Sequence, residues 1–371
     1  MSSTLAIYFD RAHDFAAQLI SRHSVYLTSW NLALAQSICL GIGAGAAYYL
    51  KRRYGSTDSP QRAKANSFKL PNLDRKITLP DGRDLSYAQY GATAGQVVLH
   101  FHGFPGSRLE GALYHDAAVK LGMQVLTIDR PGVGLSSPHR DRSTLTFAED
   151  VQCLANHLDL RSWAVMGISG GGPYALAYAL LQPAGLQAVA LVAAMGPHDI
   201  NRSGMSRNNR VLFFCFAYCL WLVRLFGRLY MRQRGLLTEE MLVEAMPKLQ
   251  KSRLPQSMKP GPKEMTVLLN ENVMRTFWRS SCEFFRQGFE TFCEEGRILT
   301  SDQGLQLRDL GRDLPVRLWY GKEDANVGPH MGPRVGERLG DTATLRMEGE
   351  GHASLVVNKA EDVLRDLKQF L

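Results

Sequence analysis

The sequence predicts an α/β fold, a mostly parallel, doubly wound sheet flanked by helices, with a helical cap inserted late in the sheet. Three observations carry this. Short strand-like apolar runs alternate with helix-like segments from about residue 96 to residue 192. The run 97–101 is apolar almost throughout, as in strands covered on both faces. The alternation then stops over 198–300, a helical stretch rich in aromatics and arginine, and resumes at 316–320.

Taken in order, residues 1–24 are mixed, and the chain turns apolar from Val25. Residues 32–50 have only Gln36 and Ser37 as clearly polar members, long enough to cross a bilayer core as a helix. Lys51-Arg52-Arg53 follows at once. By the excess of positive charge after the run, the expectation is a single-pass anchor with the C-terminal domain in the cytosol; a buried or interfacial helix in a cytoplasmic protein is the alternative. Gly41 and Gly45 form a G-x-x-x-G pair too short to imply dimerisation, and the oligomeric state is open. Residues 1–54 thus read as an N-terminal segment and 55–74 as a polar linker. Strands at 76–79 and 85–90 follow, joined at Pro80-Asp81-Gly82 as a hairpin. After 97–101 come helix 111–121, strand 125–128, helix 144–158, strand 163–168, helix 173–181 and strand 188–192. Strand-like 344–347 and an amphipathic helix over 353–371 close the chain. The core is therefore expected over 75–197 and 301–371, with the cap over 198–300. Within the cap, the run 211–223 is short for a membrane span and ends among Arg224, Arg228, Arg232 and Arg234, so it reads as a lid helix facing an apolar pocket.

Composition narrows the function classes. The chain has 371 residues, 45% hydrophobic and 21% charged, ordinary values for a globular protein with a sizeable core. The net charge of +8 is uneven, with an excess of about five over residues 1–70 and about six over 198–300. No nucleic-acid motif accompanies it, so a membrane surface or solubility is the better reading. The six cysteines show no C-x-x-C and no metal-type spacing, which leaves neither a zinc site nor a disulfide framework to expect. No metal or organic cofactor is called for.

The informative stretch is Gly167-Ile168-Ser169-Gly170-Gly171, between a strand and a helix opened by Pro173. A serine lifted on such a turn sits in a strained backbone region, and neighbouring glycines remove the collisions. Alone the pattern is weak, since a Gly-rich turn with an idle serine looks the same. A serine hydroxyl needs a base, and the base a carboxylate. Asp324, in Gly321-Lys322-Glu323-Asp324, and His352, in Gly349-Glu350-Gly351-His352, each follow a strand, and parallel strand ends converge on one sheet edge.

The order Ser169, Asp324, His352 resembles that of the α/β-hydrolase superfamily. The resemblance covers about residues 75–371 and implies an eight-stranded sheet. His102-Gly103-Phe104-Pro105-Gly106 is similar to the superfamily's oxyanion loop and implies that the backbone N–H groups of Phe104 and Gly170 form the oxyanion hole. Asp129 to Ser136 resembles the loop that shapes the cleft floor. Rivals exist at each position. Glu323 or Asp199 could stand in for Asp324, and His100 with His102 could suggest a metal pair, although no third ligand follows. His198 and His330 read as surface or cap residues. Arg108 and Glu110 either touch substrate or form a solvated rim.

The nucleophile type narrows the reaction further. Relatives that open epoxides or displace halide carry aspartate at the elbow, so Ser169 argues against both. Acyltransferase relatives often have an aspartate five positions past the histidine, where this chain has Val357. Peptidases that remove N-terminal proline share the H-G-x-P-G loop but need acidic cap residues, and this cap is net basic. The expectation is a serine hydrolase of the carboxylesterase or lipase type, cleaving an apolar or lipid-like ester through an acyl-enzyme. His102, Phe213, Phe214 and Trp221 are the expected substrate-pocket residues, and Phe216 belongs to the same aromatic set. A proline-iminopeptidase-like peptidase and a non-catalytic ligand-binding protein of the same fold are the alternatives.

Overall fold

Eight strands form one sheet in the order β1-β2-β4-β3-β5-β6-β7-β8: β1 (Arg75–Thr78), β2 (Asp84–Gly91), β3 (Gln96–Phe101), β4 (Met123–Ile128), β5 (Trp163–Ile168), β6 (Leu186–Val192), β7 (Val316–Gly321) and β8 (Ala343–Glu348). They come from a computed structural model of the chain, which describes residues 73–234, 239–240, 242–243, 260–311 and 313–371. The expected membrane helix at 32–50 lies outside the described residues, as does nearly all of the linker. The β1–β2 hairpin is antiparallel, β2 runs antiparallel to β4, and all other pairs are parallel. β5 is buried at all six positions, whereas the edge strand β8 has none fully buried. That contrast is why the central strands read as continuous apolar runs.

Helices cover both faces of the sheet. α1 (His115–Leu121), α2 (Thr144–His157) and α3 (Gly172–Leu180) lie between the early strands. A 3-10 turn, Arg108–Tyr114, takes only the first four positions of the helix expected over 111–121, and α1 takes the rest. Ser143 caps α2 in a reciprocal pairing with Thr146. Between β6 and β7 the chain inserts the cap: α4 (Arg207–Tyr218), α5 (Leu220–Arg234), α6 (Pro262–Leu268), α7 (Glu271–Phe284) and α8 (Glu290–Thr300). The single lid helix expected over 211–223 is instead broken at Cys219, where α4 and α5 meet at 111°. Among the described residues no single helix is long and apolar enough to cross a membrane. After β7 come α9 (Met331–Leu339), α10 (His352–Asn358) and α11 (Ala360–Lys368). The expected terminal helix is thus two helices interrupted at Lys359, whose N–H bonds back to Leu355 O.

Two apolar clusters pack the two faces of the sheet, one holding Leu99, Phe101 and Val165, the other Val98, Ala164 and Met166, as alternating strand side chains require. A third cluster joins Val267, Leu268, Val273, Met274 and Trp278 of the cap to Ala353, the residue after His352.

Candidate active site

The C-terminal ends of β5, β7 and β8 bring Ser169, Asp324 and His352 together. Ser169 has φ +49°, the left-handed region that non-glycine residues rarely adopt. The turn is closed by contact. A Cβ on Gly171 would stand 2.2 Å from Phe101 O, and one on Gly167 would stand 2.7 Å from Ala175 Cβ. Side chains are thereby excluded on both flanks of the serine.

His352 Nδ1 lies 2.8 Å from Asp324 Oδ2, and its Nε2 lies 3.1 Å from Ser169 Oγ. Asp324 is buried and also accepts the N–H groups of Asn326 and Val327 at 2.7 and 2.9 Å. Burial opposes its charge, but the attraction and hydrogen bond of His352 and these two amides outweigh it, leaving the carboxyl below its ordinary range. A carboxylate only accepts, so Nδ1 carries the proton and the Nε2 lone pair accepts from the Ser169 hydroxyl. Burial pulls the imidazole pKa down, yet Asp324, then Glu264 and Glu110, raise it above the ordinary histidine value.

Of the rival acids, Glu323 is exposed and Asp199 pairs with Arg338 at 2.7 Å. His330 is exposed, and His198 lies 3.8 Å from Asp302. His100 bonds Thr127 Oγ1 at 2.9 Å, and among the described residues no group of three potential metal ligands occurs.

The oxyanion-loop stretch abuts the elbow: a Cβ on Gly170 would stand 2.7 Å from Phe104 Cβ and 3.4 Å from Phe104 N. The Phe104 ring stacks on Phe292 of α8 with centroids 4.8 Å apart and meets Phe216 of α4 and Phe284 of α7 edge-on. Of the expected pocket aromatics, Phe213 is buried against Phe216 and beneath Arg202. Phe214 and Trp221 instead point out of the cap, 57% and 66% exposed. The helical repeat decides this, since Phe213 and Phe216 share the inner face of α4 while Phe214 lies on the outer one. His102, also expected to line the pocket, has no exposed surface and bonds Gly103 O at 2.9 Å. Burial and the nearby Arg130 keep its imidazole neutral, so it braces the loop from beneath.

The loop's charged neighbours are buried, contrary to the rim expectation. Both Glu110 oxygens accept the Gly103 N–H, at 3.0 and 3.2 Å. Burial pushes the Glu110 carboxyl up to about 7 against the Gly103 bond and the attraction of Arg130 and His352. Arg108 pairs with Asp129 at 2.8 Å and with the cap residue Glu283 at 2.7 Å. Arg130 donates to His102 O and Gly103 O at 2.7 and 2.8 Å and lies 3.0 Å from Glu295 of α8. Arg142 also contacts Glu295, which in addition accepts from the Tyr174 hydroxyl.

The cap also grips the histidine. Glu264 of α6 accepts the N–H groups of Ala353 and Ser354 at 3.0 and 2.8 Å, occupying the N-terminal amides of α10. Lys263 pairs with Glu350 at 3.0 Å. Neither Lys263 nor Glu264 is marked in the sequence, because each acts across nearly ninety positions. A cavity of about 310 Å³, lined by Pro173, Asp199, Leu299, Asp302 and Arg338 among others, is bordered by none of the three triad residues.

The profile of the alpha/beta hydrolase fold matches residues 96–359, which take in the elbow, Asp324 and His352. The chain belongs to the alpha/beta hydrolase family. It is 32% identical over 114 residues to a proline iminopeptidase of Xanthomonas citri, covering 29% of this chain and 36% of that protein. It is 32% identical over 135 residues to a non-heme chloroperoxidase of Streptomyces lividans, covering 35% and 49% respectively. The chain therefore spans less than half the length of these curated relatives. Among solved structures, an esterase from Exiguobacterium antarcticum is similar with a TM-score of 0.56 and 17% identity over 80% of this chain and 100% of that one. A thermophilic esterase from Thermogutta terrifontis gives a TM-score of 0.53 and 18% identity, over 80% and 98%. At these identities the likeness is one of fold.

Proposed function

We propose that this alpha/beta hydrolase cleaves a carboxylic ester of an apolar or lipid-like substrate through an acyl-enzyme on Ser169. The observation that carries the reading is the unbroken chain from Asp324 Oδ2 through His352 to Ser169 Oγ, at 2.8 and 3.1 Å. His352 takes the hydroxyl proton as Oγ bonds to the ester carbonyl carbon. The resulting imidazolium is steadied by Asp324 and then protonates the leaving alkoxide as the C–O bond breaks. Water, deprotonated by His352 in turn, releases the acid and restores Oγ. In this reading the N–H groups of Phe104 and Gly170 hold the developing oxyanion, each worth about 3 kcal/mol in the transition state. The buried aromatic cluster of Phe104, Phe216, Phe284 and Phe292 beside the elbow supports an apolar surrounding for the acyl or alcohol group. In this reading the core (75–197 and 301–371) carries the triad, the cap (198–300) covers it, and residues 32–50 anchor it with the catalytic domain cytosolic.

The peptidase reading has its support in the relatives called proline iminopeptidase. Against it, the two further carboxylates whose charge reaches His352 are already engaged, Glu110 on the Gly103 amide and Glu264 on those of Ala353 and Ser354. That leaves the substrate ammonium without a ready partner among them. A fluorophosphonate probe with p-nitrophenyl butyrate tests the proposal. Wild type is expected to label at Ser169, and Ser169→Ala to lose labelling and at least about 10³-fold in turnover. Folded wild-type protein that stays unlabelled, or equal rates in the two proteins, overturns it. Faster release from proline β-naphthylamide than from the ester moves the assignment to the peptidase.

A further inference from the structure

The ten large apolar side chains most exposed to solvent among the described residues are not scattered. Six of them, Val211, Phe214, Tyr218, Trp221, Leu225 and Phe226, fall within sixteen positions on α4 and α5. Isolated exposed apolar residues need no explanation, whereas a contiguous aromatic group signals a surface built to be covered. The helical repeat sorts it cleanly, with Leu212, Phe213, Phe216 and Val223 turned inward to the core. Arg207 and Arg210 lie exposed on the same outer face of α4. From residue 201 to residue 238 the chain carries seven arginines and no aspartate or glutamate, and of the seven Arg224 is paired with Glu290 and Glu294 of α8.

We propose that the outer face of the α4–α5 elbow is a docking surface for an anionic lipid bilayer. Neither helix is long enough to span by itself, since twelve residues of α4 reach about 18 Å, fifteen of α5 about 22 Å, and a bilayer core is about 30 Å thick. The 111° turn at Cys219 aims the two helices in different directions, so the elbow lies on the membrane. Tyrosine, tryptophan and phenylalanine beside arginine suit the headgroup boundary, where rings enter the acyl edge and guanidinium groups meet phosphate. The charge pattern selects this occupant over two others. A second copy seated on the same face would set arginine against arginine. The apolar run 32–50 holds no acidic residue to answer them and is followed by three basic ones. The inference stands apart from the triad and does not require residues 32–50 to be an anchor.

The test uses the full chain on vesicles of phosphatidylcholine and phosphatidylserine (7:3) with brominated acyl chains, read by tryptophan fluorescence. Subtracting the signal of Trp221→Phe isolates Trp221 from the other four tryptophans, and matching melting curves check that the variant folds. The Trp221 signal is expected to fall at least twofold on brominated vesicles and to recover in Tyr218→Glu/Phe226→Glu. Equal quenching of wild type and Trp221→Phe overturns the proposal. So does a Trp221 shielded from both bromine and aqueous acrylamide, since protein would then cover it. Equal quenching on phosphatidylcholine alone overturns the anionic assignment. Ser169 labelling, read on the same samples, reports separately on the hydrolase reading.

Discussion

Ser169 and His352 meet at 3.1 Å, yet the two sides of that contact are built differently. The serine side belongs to the core and is fixed by backbone: a left-handed φ, flanking glycines pressed on neighbouring atoms, and a loop tied down by Arg130. The histidine side is fixed by side chains that reach across from the cap, Glu264 onto the amides of α10 and Lys263 onto Glu350. Backbone packing of the first kind cannot relax without moving a strand, whereas side-chain bonds of the second kind can be exchanged for water. Ser169, the proposed nucleophile, is therefore set once at folding, while His352, the proposed base, is set by how the cap sits.

Breaking the serine side gives the largest effect. Gly171→Ala drives a Cβ to 2.2 Å from Phe101 O and 2.8 Å from His102 O, both backbone atoms. It is expected to cost about 3 kcal/mol in urea unfolding and to abolish Ser169 labelling. Glu110, between the two sides, gives a pH signature. Its folded value of about 7 lies above the ordinary 4.5. Through that window the folded protein keeps a proton that the unfolded chain has released. Its contribution is full below pH about 4.5 and is lost as pH rises to about 7, a span of up to about 3 kcal/mol. Glu110→Gln is expected to flatten the slope of unfolding free energy against pH in this window.

Breaking the histidine side gives the smallest effect. Glu264→Ala is expected to lower kcat on p-nitrophenyl butyrate about tenfold, near 1.4 kcal/mol, with folding retained. A base in the proposed role works unprotonated, so activity is expected to rise with pH through the His352 pKa, which lies above the ordinary histidine value. Removing the Glu264 charge is expected to move that acidic limb to lower pH. Glu264→Gln, which keeps one of the two acceptor oxygens, should restore part of kcat while leaving the limb shifted. A tenfold loss with the limb unmoved would mean that Glu264 acts only on packing.

The serine side was legible because it is local. Glycines two positions either side of Ser169 state the steric demand in the sequence, and the run Trp163–Ile168 is the strand found in the fold. Asp324 and His352 were legible because each directly follows a strand-like run. What escaped reading is what depends on which surface meets which. Glu110 and Arg108 carry charge, and charge alone suggests water, yet both are buried by elements far along the chain. Consecutive phenylalanines at 213 and 214 cannot both face inward, and only the seating of α4 decides between them. The break at Cys219 has no proline or glycine to announce it.

The pairing of α8 with the core bears on how a substrate gets in. Glu295 is buried against Arg130 and Arg142, and Arg130 in turn holds the carbonyls of His102 and Gly103. Lifting α8 away would strand two guanidinium groups and a carboxylate without counter-charges, at about 3–5 kcal/mol for each broken partnership. α8 is thus a part of the cap held to the core by buried charge, and entry of a substrate has to leave those contacts in place.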